Sequence, residues 1–583
     1  MGKAGFAHLS DGDAKIQCYF RKDDLTETEW ELYGLLDIGD HVGVTGELFR
    51  TKTGEKSIHV RSLVVLSKSL QTLPIGKVRE VKDAEGNVVG TERWYELEDV
   101  DQRYRHRHLD LITNPEARQT LINRARITTA VRRYFDSQGY LEVETPTLQL
   151  EAGGAMARTF NTHYNAYEMD VKLRISLELY LKRLICGDLP KVYEIGRVYR
   201  NEGVSNRHSP EFTMCEFYEA YANLEDMMTR MEDLCRFVAE DVFGGETLWT
   251  SPAGTVALQA SADGEVYALP NSSLPLEPTW GPVARCGRYL VQFQPLSTIE
   301  DGEQGHDISV SILDLPGKGR WIIESGLVHL VKQESEVAFL ECKVAATIRD
   351  ELGREFPLFP GRYRVFEQLS DRIRQQAAKS DQGVELDFSR PWRRLDLLTA
   401  IGEHTGLTQA DFADIETALR RARELNVPDK AKEVGGFINL EKENNVGGLI
   451  EKLLEVFVEP TLQEPTFVIG YPIETSPLAK KDPNRPGFTR RFEGYILGRE
   501  LCNAFSEIND PIDQRERFQQ QVAERAKGDD EAHPLDEDFL YALECGMPPT
   551  GGCGFGIDRL AMLLTGADHI REVLFFPTMR PQT

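Results

Sequence analysis

A chain of 583 residues is too long for one hydrophobic core, so two to four domains are expected. Hydrophobic residues at 41% and charged residues at 28% are the balance of a globular protein, and no apolar run reaches the ~18–20 residues a bilayer crossing needs. The net charge of −26 argues against a uniformly basic surface, yet leaves room for local patches in "RYRHRH" (103–108), "RARITTAVRR" (124–133) and "RPWRR" (390–394). Nine cysteines with no C-x-x-C pair speak against structural zinc and against a disulfide scaffold, and point to a reducing cytoplasm. The start, "MGKAGFAHLS", has no apolar signal core, and Phe6 spoils a myristoylation pattern.

Residues 1–70 read as short alternating strands, "KIQCYF", "HVGVTGELFRT" and a hairpin turned at Gly54, the spacing of a small oligonucleotide-binding type of barrel. A polar linker with an exposed hairpin follows over 71–112. Within 113–245 a helix is expected from Asn114 to about Tyr134, with Leu121, Ile122, Ala125 and Val131 on one side. "GYLEVETPTL" reads as a strand stopped by Pro146, "SLELYLKRLICG" as a helix closed by Gly187, and "KVYEIGRVYR" as a strand. An amphipathic helix, "NLEDMMTRMEDLCRFVAEDVFGG", ends at Gly244 and Gly245. Over 246–384 the composition shifts to short strands and one helix-like stretch, "VFEQLSDRIRQQAAK", which reads as a β-rich insertion domain. Residues 385–583 return to mixed helices and strands.

Three segments carry chemistry. In "RNEGVSNRHSPEFTMCEFYEAY" (200–221), Arg200, Glu202, Arg207 and His208 surround one mouth, and Arg suits bidentate recognition of carboxylate or phosphate. Strand parity then puts Phe212, Met214, Glu216 and Tyr218 on one face and Thr213, Cys215, Phe217 and Glu219 on the other. A carboxylate on such a face needs a cation or solvent before it. In "RRFEGYILGRELCNAFSEIND" (490–510), Asn503, Phe505 and Glu507 share one parity, and Glu493 and Glu500 are oxygen donors suited to Mg²⁺ bound with a nucleotide. In "GFGIDRLAML", Gly554 and Gly556 allow close backbone approach, and Arg559 opens a helix whose N-terminus favours an anion. Taken singly, these also read as a solvated hairpin, an acidic strand edge and a packing turn in which Asp558 fixes Arg559.

Their order, with "FDSQGYLEVETPTL" before them, resembles the three motifs of class II aminoacyl-tRNA synthetases. The likeness is strongest to the lysyl-tRNA synthetase family (subclass IIb), in "GGAMARTFNTHYNAYEMDVKLRIS", "YPIETSPLAKK", "NAFSEINDPIDQRERF" and "GDDEAHPLDEDFLYALECGMPPTGG". The resemblance implies an α+β fold: an antiparallel sheet flanked by helices, after an OB-type anticodon-binding barrel. It implies lysyl-adenylate formation from lysine and ATP, transfer to tRNA(Lys), a homodimer built through the segment around Pro146, and Mg²⁺. Arg200 and Arg559 would be catalytic; Glu202, His208, Phe212 and Glu493 would join them at ATP, with Glu493 and Glu500 on the metal. Gly154, Glu178, Glu216, Tyr218, Asn503, Phe505 and Glu507 would bind lysine, with Glu216 and Glu507 on the ε-ammonium. Phe6 and Gln17 would contact the anticodon. Family members carry a helix and a strand ahead of "GKAGFAHL", so an incomplete barrel is expected, and Ser62 stands where an acid is common. Leu177 replaces a proline and Ser209 an asparagine. Alternative readings are a lysyl transferase acting on a protein such as an elongation factor, and a non-catalytic tRNA-binding paralogue.

Overall fold

The computed structural model describes residues 3–75, 97–251 and 384–582 except positions 13, 53, 435–437, 442 and 527–532; between 77 and 94 and between 254 and 365 it describes only backbone strands. Two compact units divide the chain, Met1–Asn114 and Pro115–Thr583.

In the first unit, β1 (Ala4–Ser10), β2 (Lys15–Arg21), β3 (His41–Arg50) and β4 (Lys56–Ser67) form a sheet in the order β1-β2-β4-β3, with β2 and β4 parallel. The expected barrel is thus an open sheet among the described residues, because β1 and β3 do not pair. Helix α1 (Glu27–Gly34) starts at a capping box of Thr26 and Glu29. Ser62 belongs to that joint: its hydroxyl donates to Glu29 Oε1 at 2.9 Å. Cys18, Phe20, Trp30, Val60 and Leu63 form this unit's core. The linker hairpin is present as paired strands, Lys77–Lys82 and Val88–Trp94.

The second unit is built on eight strands: β5 (Leu141–Glu142), β6 (Lys191–Tyr199), β7 (Glu211–Ala220), β8 (Arg393–Asp396), β9 (Thr466–Ile469), β10 (Arg491–Ile496), β11 (Arg499–Ser506) and β12 (Thr550–Gly556). Their order is β8-β9-β10-β11-β12-β7-β6-β5, antiparallel except at the two edges. The registers align side chains in rows across the strands. One row on the inner face runs Phe492, Ala504, Cys553, Phe217, Tyr193, all buried in the main core. The helices that cover this face are α2 (Pro115–Ser137), α4 (Leu224–Phe243) and α6 (Ile557–Thr565); α3 (Glu178–Cys186) packs elsewhere, in a separate cluster with Leu540 and Leu543.

Helix α2 buries Leu121, Ile127, Ala130, Val131, Tyr134 and Phe135, whereas Ile122 and Ala125 are exposed, contrary to the side assigned from sequence. The 3.6-residue period carries the stripe through Ile127 and Val131, which turns Ile122 and Ala125 to solvent. Helix α4 is capped by Asn223 with Asp226 and closed by Gly244 in the left-handed region, φ 85°. The strand expected around "GYLEVETPTL" is reduced to β5 and a separate pair at Leu148–Gln149.

The segment 246–384 leaves and returns side by side, since Thr247 lies opposite Asp387 in paired strands. Its strands include a seven-stranded sheet, while the helix-like stretch over 366–379 lies outside the described residues.

Asp558, 1% exposed, accepts from Arg124 Nη2 and from the backbone N–H of Thr213, each at 2.8 Å. It therefore ties α6 to α2 and β7; it does not hold Arg559. Asp558→Ala would leave the Arg124 guanidinium without its carboxylate, with only the Thr213 hydroxyl to accept from Nη2, and that amide unpaired, and should destabilise by about 3–5 kcal/mol. A lowered urea midpoint relative to the parent chain checks this.

Candidate active site

The outer face of the sheet is a trough because of glycine. One row runs Glu493, Asn503, Gly554, Glu216, Glu194; the neighbouring row runs Arg491, Phe505, Gly552, Tyr218, Val192. With no side chains on Gly552 and Gly554, β12 becomes a floor between two walls of polar groups. A Cβ on Gly552 would stand 2.1 Å from Glu507 Oε1 and 2.4 Å from the Tyr218 ring. A cavity of about 400 Å³ results, lined by Gly154, Glu178, Arg200, Glu202, His208, Phe212, Glu216, Tyr218, Glu493, Glu500, Asn503, Phe505 and Arg559. The sheet thus brings together every residue assigned from sequence to the pocket except Glu507, which is 1% exposed and sits over Gly552 without lining the cavity.

One end is cationic. Arg200 is half-buried, its guanidinium 5.2 Å above the Phe212 ring, and desolvation pulls its pKa down despite Glu202 and Glu500. Arg559 donates to Glu500 Oε2 at 2.8 Å and lies beside His208. Burial and the Arg559 charge push His208 below the usual imidazole range, so its ring is neutral near pH 7. Glu202 sits in the exposed loop after β6.

Beside Arg559 and Arg491 stand further acids. Glu493 accepts from Arg491 at 2.5 Å and from the hydroxyls of Tyr471 and Tyr495. Burial would raise Glu500, but Arg559 and then Arg200 outweigh it and hold the carboxyl below its ordinary value. Glu459 is pushed up to about 8 by burial and by Glu493, Glu500 and Glu455, so the cluster already holds more negative charge than it can ionise. Among the described residues no three His, Cys, Asp or Glu side chains converge to hold a metal unaided.

The other end is an acid pocket. Glu216 accepts from Ser176 Oγ (2.9 Å), the Leu177 N–H (3.0 Å) and Tyr218 OH (2.9 Å). Burial, then the Glu178 charge, push it up to about 7. The Leu177 donor is a consequence of that substitution, because a proline there has no N–H to give. Lys182, wholly buried, donates to Glu178 Oε1 at 2.6 Å and is paired with Glu507 Oε2. Gly154, at φ 89°, donates its N–H to His533 Nδ1 at 3.3 Å; burial and the Lys182 charge push His533 down to about 4, which keeps that nitrogen an acceptor. Asn503 Oδ1 accepts from Arg491 Nε.

Lys182, Arg491, Ser176 and His533 were not singled out from sequence. Lys182 had a visible signal, four residues after Glu178 on one helix face. The others carry none locally, since their partners come from distant segments.

In the first unit Phe6 is 56% exposed and packs 5.0 Å from Tyr19, so it is not a core aromatic. Tyr19, His59 and Phe49 extend this into a ring cluster across the sheet, which sequence reading missed. The Gln17 amide is held by Glu55 and Ser57.

The family described as "tRNA synthetases class II (D, K and N)" matches residues 99–266 and 361–580, and "OB-fold nucleic acid binding domain" matches residues 1–66. Lysine–tRNA ligase of Bacillus subtilis is 39% identical over 579 residues, covering 99% of this chain and 84% of that protein. Lysine–tRNA ligase of Syntrophomonas wolfei is 40% identical over 582 residues (100% and 86%), and that of Moorella thermoacetica 39% over 583 (100% and 86%).

Gly552→Ala should displace either the Glu507 carboxylate or the Tyr218 ring and lower the thermal midpoint. A crystal structure and an unfolding curve of the variant check this.

Proposed function

The chain belongs to the class II tRNA synthetases of the D, K and N group, and on that basis we propose that it joins L-lysine to tRNA(Lys) at the expense of ATP. The observation that carries the choice of lysine is the acid end of the trough. Three carboxylates, Glu178, Glu216 and Glu507, are buried there, and Lys182 pairs with two of them, Glu178 and Glu507. An aspartate side chain would meet like charge, and an asparagine amide would leave the acids without a cation; an ammonium satisfies them.

The charge gradient along the trough orders the reactants. Adenine stacks on Phe212 with Arg559 over its other face and Glu202 at its amino group, while His208 and Arg559 meet the distal phosphates. Arg200 grips the α-phosphate and the lysine carboxylate, supported by Asn503. Glu178 and the backbone at Gly154 take the α-ammonium, Glu216, Glu507 and Tyr218 the ε-ammonium, and Phe505 flanks the aliphatic stem. The lysine carboxylate attacks the α-phosphorus, pyrophosphate leaves, and a terminal ribose hydroxyl of the tRNA then attacks the lysyl carbonyl, releasing AMP. No enzyme nucleophile is required, so positioning and electrostatics carry catalysis.

Hard oxygen donors with surplus negative charge at Glu493 and Glu500 fit Mg²⁺, which would complete its ligands from phosphate and water and neutralise charge on the leaving group. Phe6, with Tyr19 beside it, offers an anticodon base a stacking face, and Gln17 a polar edge. Leu141, Leu148 and Leu150, exposed around Pro146, support a homodimer through that segment. Among the described residues no helix is long and apolar enough to cross a membrane, in keeping with a cytoplasmic enzyme.

Lysine-dependent ATP–pyrophosphate exchange, followed by charging of tRNA with a UUU anticodon, tests this reading. Exchange without charging would favour a protein-modifying transferase, and absence of exchange a non-catalytic paralogue. Glu216→Gln should abolish lysine-dependent exchange.

The titration of Glu216 near 7 adds a pH dependence. Below that value the free protein carries a proton on Glu216 that lysine must displace, so the KM for lysine should rise by up to about tenfold per pH unit. Above it, KM should be flat. Leu177→Pro removes a donor that favours the ionised carboxylate, so the rise should begin at higher pH. Exchange rates measured across pH for both proteins check the two profiles.

A further inference from the structure

We propose that Lys182 is a specificity-determining residue of the amino-acid pocket: its ammonium occupies one oxygen each of Glu178 and Glu507 and leaves the pocket an excess of two negative charges, the number that lysine's two ammonium groups neutralise. This rests on the lysine reading given above and extends it to a residue that does not touch the reacting atoms.

Four observations carry it. Lys182 Nζ is 0% exposed, so its charge is not shared with solvent. It contacts Glu178 at Oε1 and Glu507 at Oε2. Neither Glu507 oxygen meets hydrogen-bond geometry with a donor among the described residues, and Oε1 lies where a side chain on Gly552 would stand, on the side of the trough. The rings of Phe505 and Phe539 lie 5.4 and 5.7 Å from the ammonium and leave it little freedom to move.

The other charges nearby do not alter the count. Arg491 is taken by Glu493 and Glu451, and His533 is neutral because burial and Lys182 depress it. Among the described residues Lys182 is the cation in ion-pair contact with these acids, at Glu178 and Glu507, while Arg491 acts on Glu178 and Arg200 on Glu216 only through space. Burial favours the neutral form of each acid, so the pocket stays anionic only as far as cations fill it. Lysine supplies one cation at its α-carbon and one at its ε-carbon, whereas its carboxylate is met by Arg200. Without Lys182, two ammonium groups would face three carboxylates. One acid would have to take up a proton, which turns an acceptor into a donor pointed at a cation.

The test is lysine-dependent ATP–pyrophosphate exchange by the full chain. Lys182→Met keeps the packing volume and removes the charge; the KM for lysine should rise about 100-fold while the KM for ATP stays within about threefold. Combining it with Glu507→Gln removes one charge of each sign, and the rise in lysine KM should fall short of the product of the two single effects by at least about tenfold. A lysine KM within about threefold of the parent in Lys182→Met, or full additivity in the double variant, overturns the proposal. Should Lys182→Met fail to fold, the unmodified chain provides the second measurement. By calorimetry, 1,5-diaminopentane should bind at least about 100-fold more tightly than n-pentylamine, and equal affinities overturn the charge count. Absence of lysine-dependent exchange in the unmodified chain would sink the lysine-ligase reading, while the diamine titration still judges the charge count by itself.

Discussion

Three carboxylates buried beside a single ammonium are the constraint on which the second unit depends. Glu178, Glu216 and Glu507 come from a helix, a central strand and the end of another strand; Lys182 joins Glu178 to Glu507, and the Glu178 charge acts on Glu216. Buried charge is tolerated only where each group is paired and hydrogen-bonded, so Ser176, Leu177 and Tyr218 must all be in place around Glu216. The glycines of β12 follow from the same requirement, because any side chain at Gly552 would fall on Glu507 or Tyr218. The acid end of the site is therefore also a structural joint between α3, β7, β11 and β12.

The sheet separates this demand from the ordinary task of building a core. Its inner face is a continuous apolar surface from Phe492 through Ala504, Cys553 and Phe217 to Tyr193, and its outer face is a trough of ionisable groups. Alternation along each strand makes the two faces independent, so the stability of one supports the cost of the other. The sign of charge changes across the trough, from Arg200 and Arg559, with Glu500 against Arg559, to the acid pocket around Lys182. The chain's net charge of −26 has no bearing on this, because field strength inside a low-dielectric cleft is set by the groups that line it.

The first unit follows a different logic. Its own core is small, and polar ties do much of the positioning: Thr26 and Glu29 cap α1, Ser62 joins the same carboxylate, and Asp24 holds His59 and Arg61. Phe6 and Tyr19 remain at the surface as a paired aromatic face, an arrangement suited to stacking on bases of any sequence.

Much was legible in the sequence. The parity of Phe212, Met214, Glu216 and Tyr218, the matching parity of Asn503, Phe505 and Glu507, and the glycine-rich turn before Arg559 are properties of neighbouring residues, and a strand converts them directly into faces. What could not be read was which distant groups those faces would meet. Glu507 appeared free to face a substrate ammonium, yet one of its oxygens is already taken by Lys182, 325 positions earlier in the chain. Asp558 appeared to hold its neighbour Arg559, yet it holds Arg124 and Thr213 instead. Strand register and helix packing decide such pairings, and both depend on how the whole sheet is assembled. The sequence by itself determined which residues share a face and what chemistry they bring; only the tertiary structure decided which charges neutralise one another, because that depends on distances between segments that the chain order does not contain.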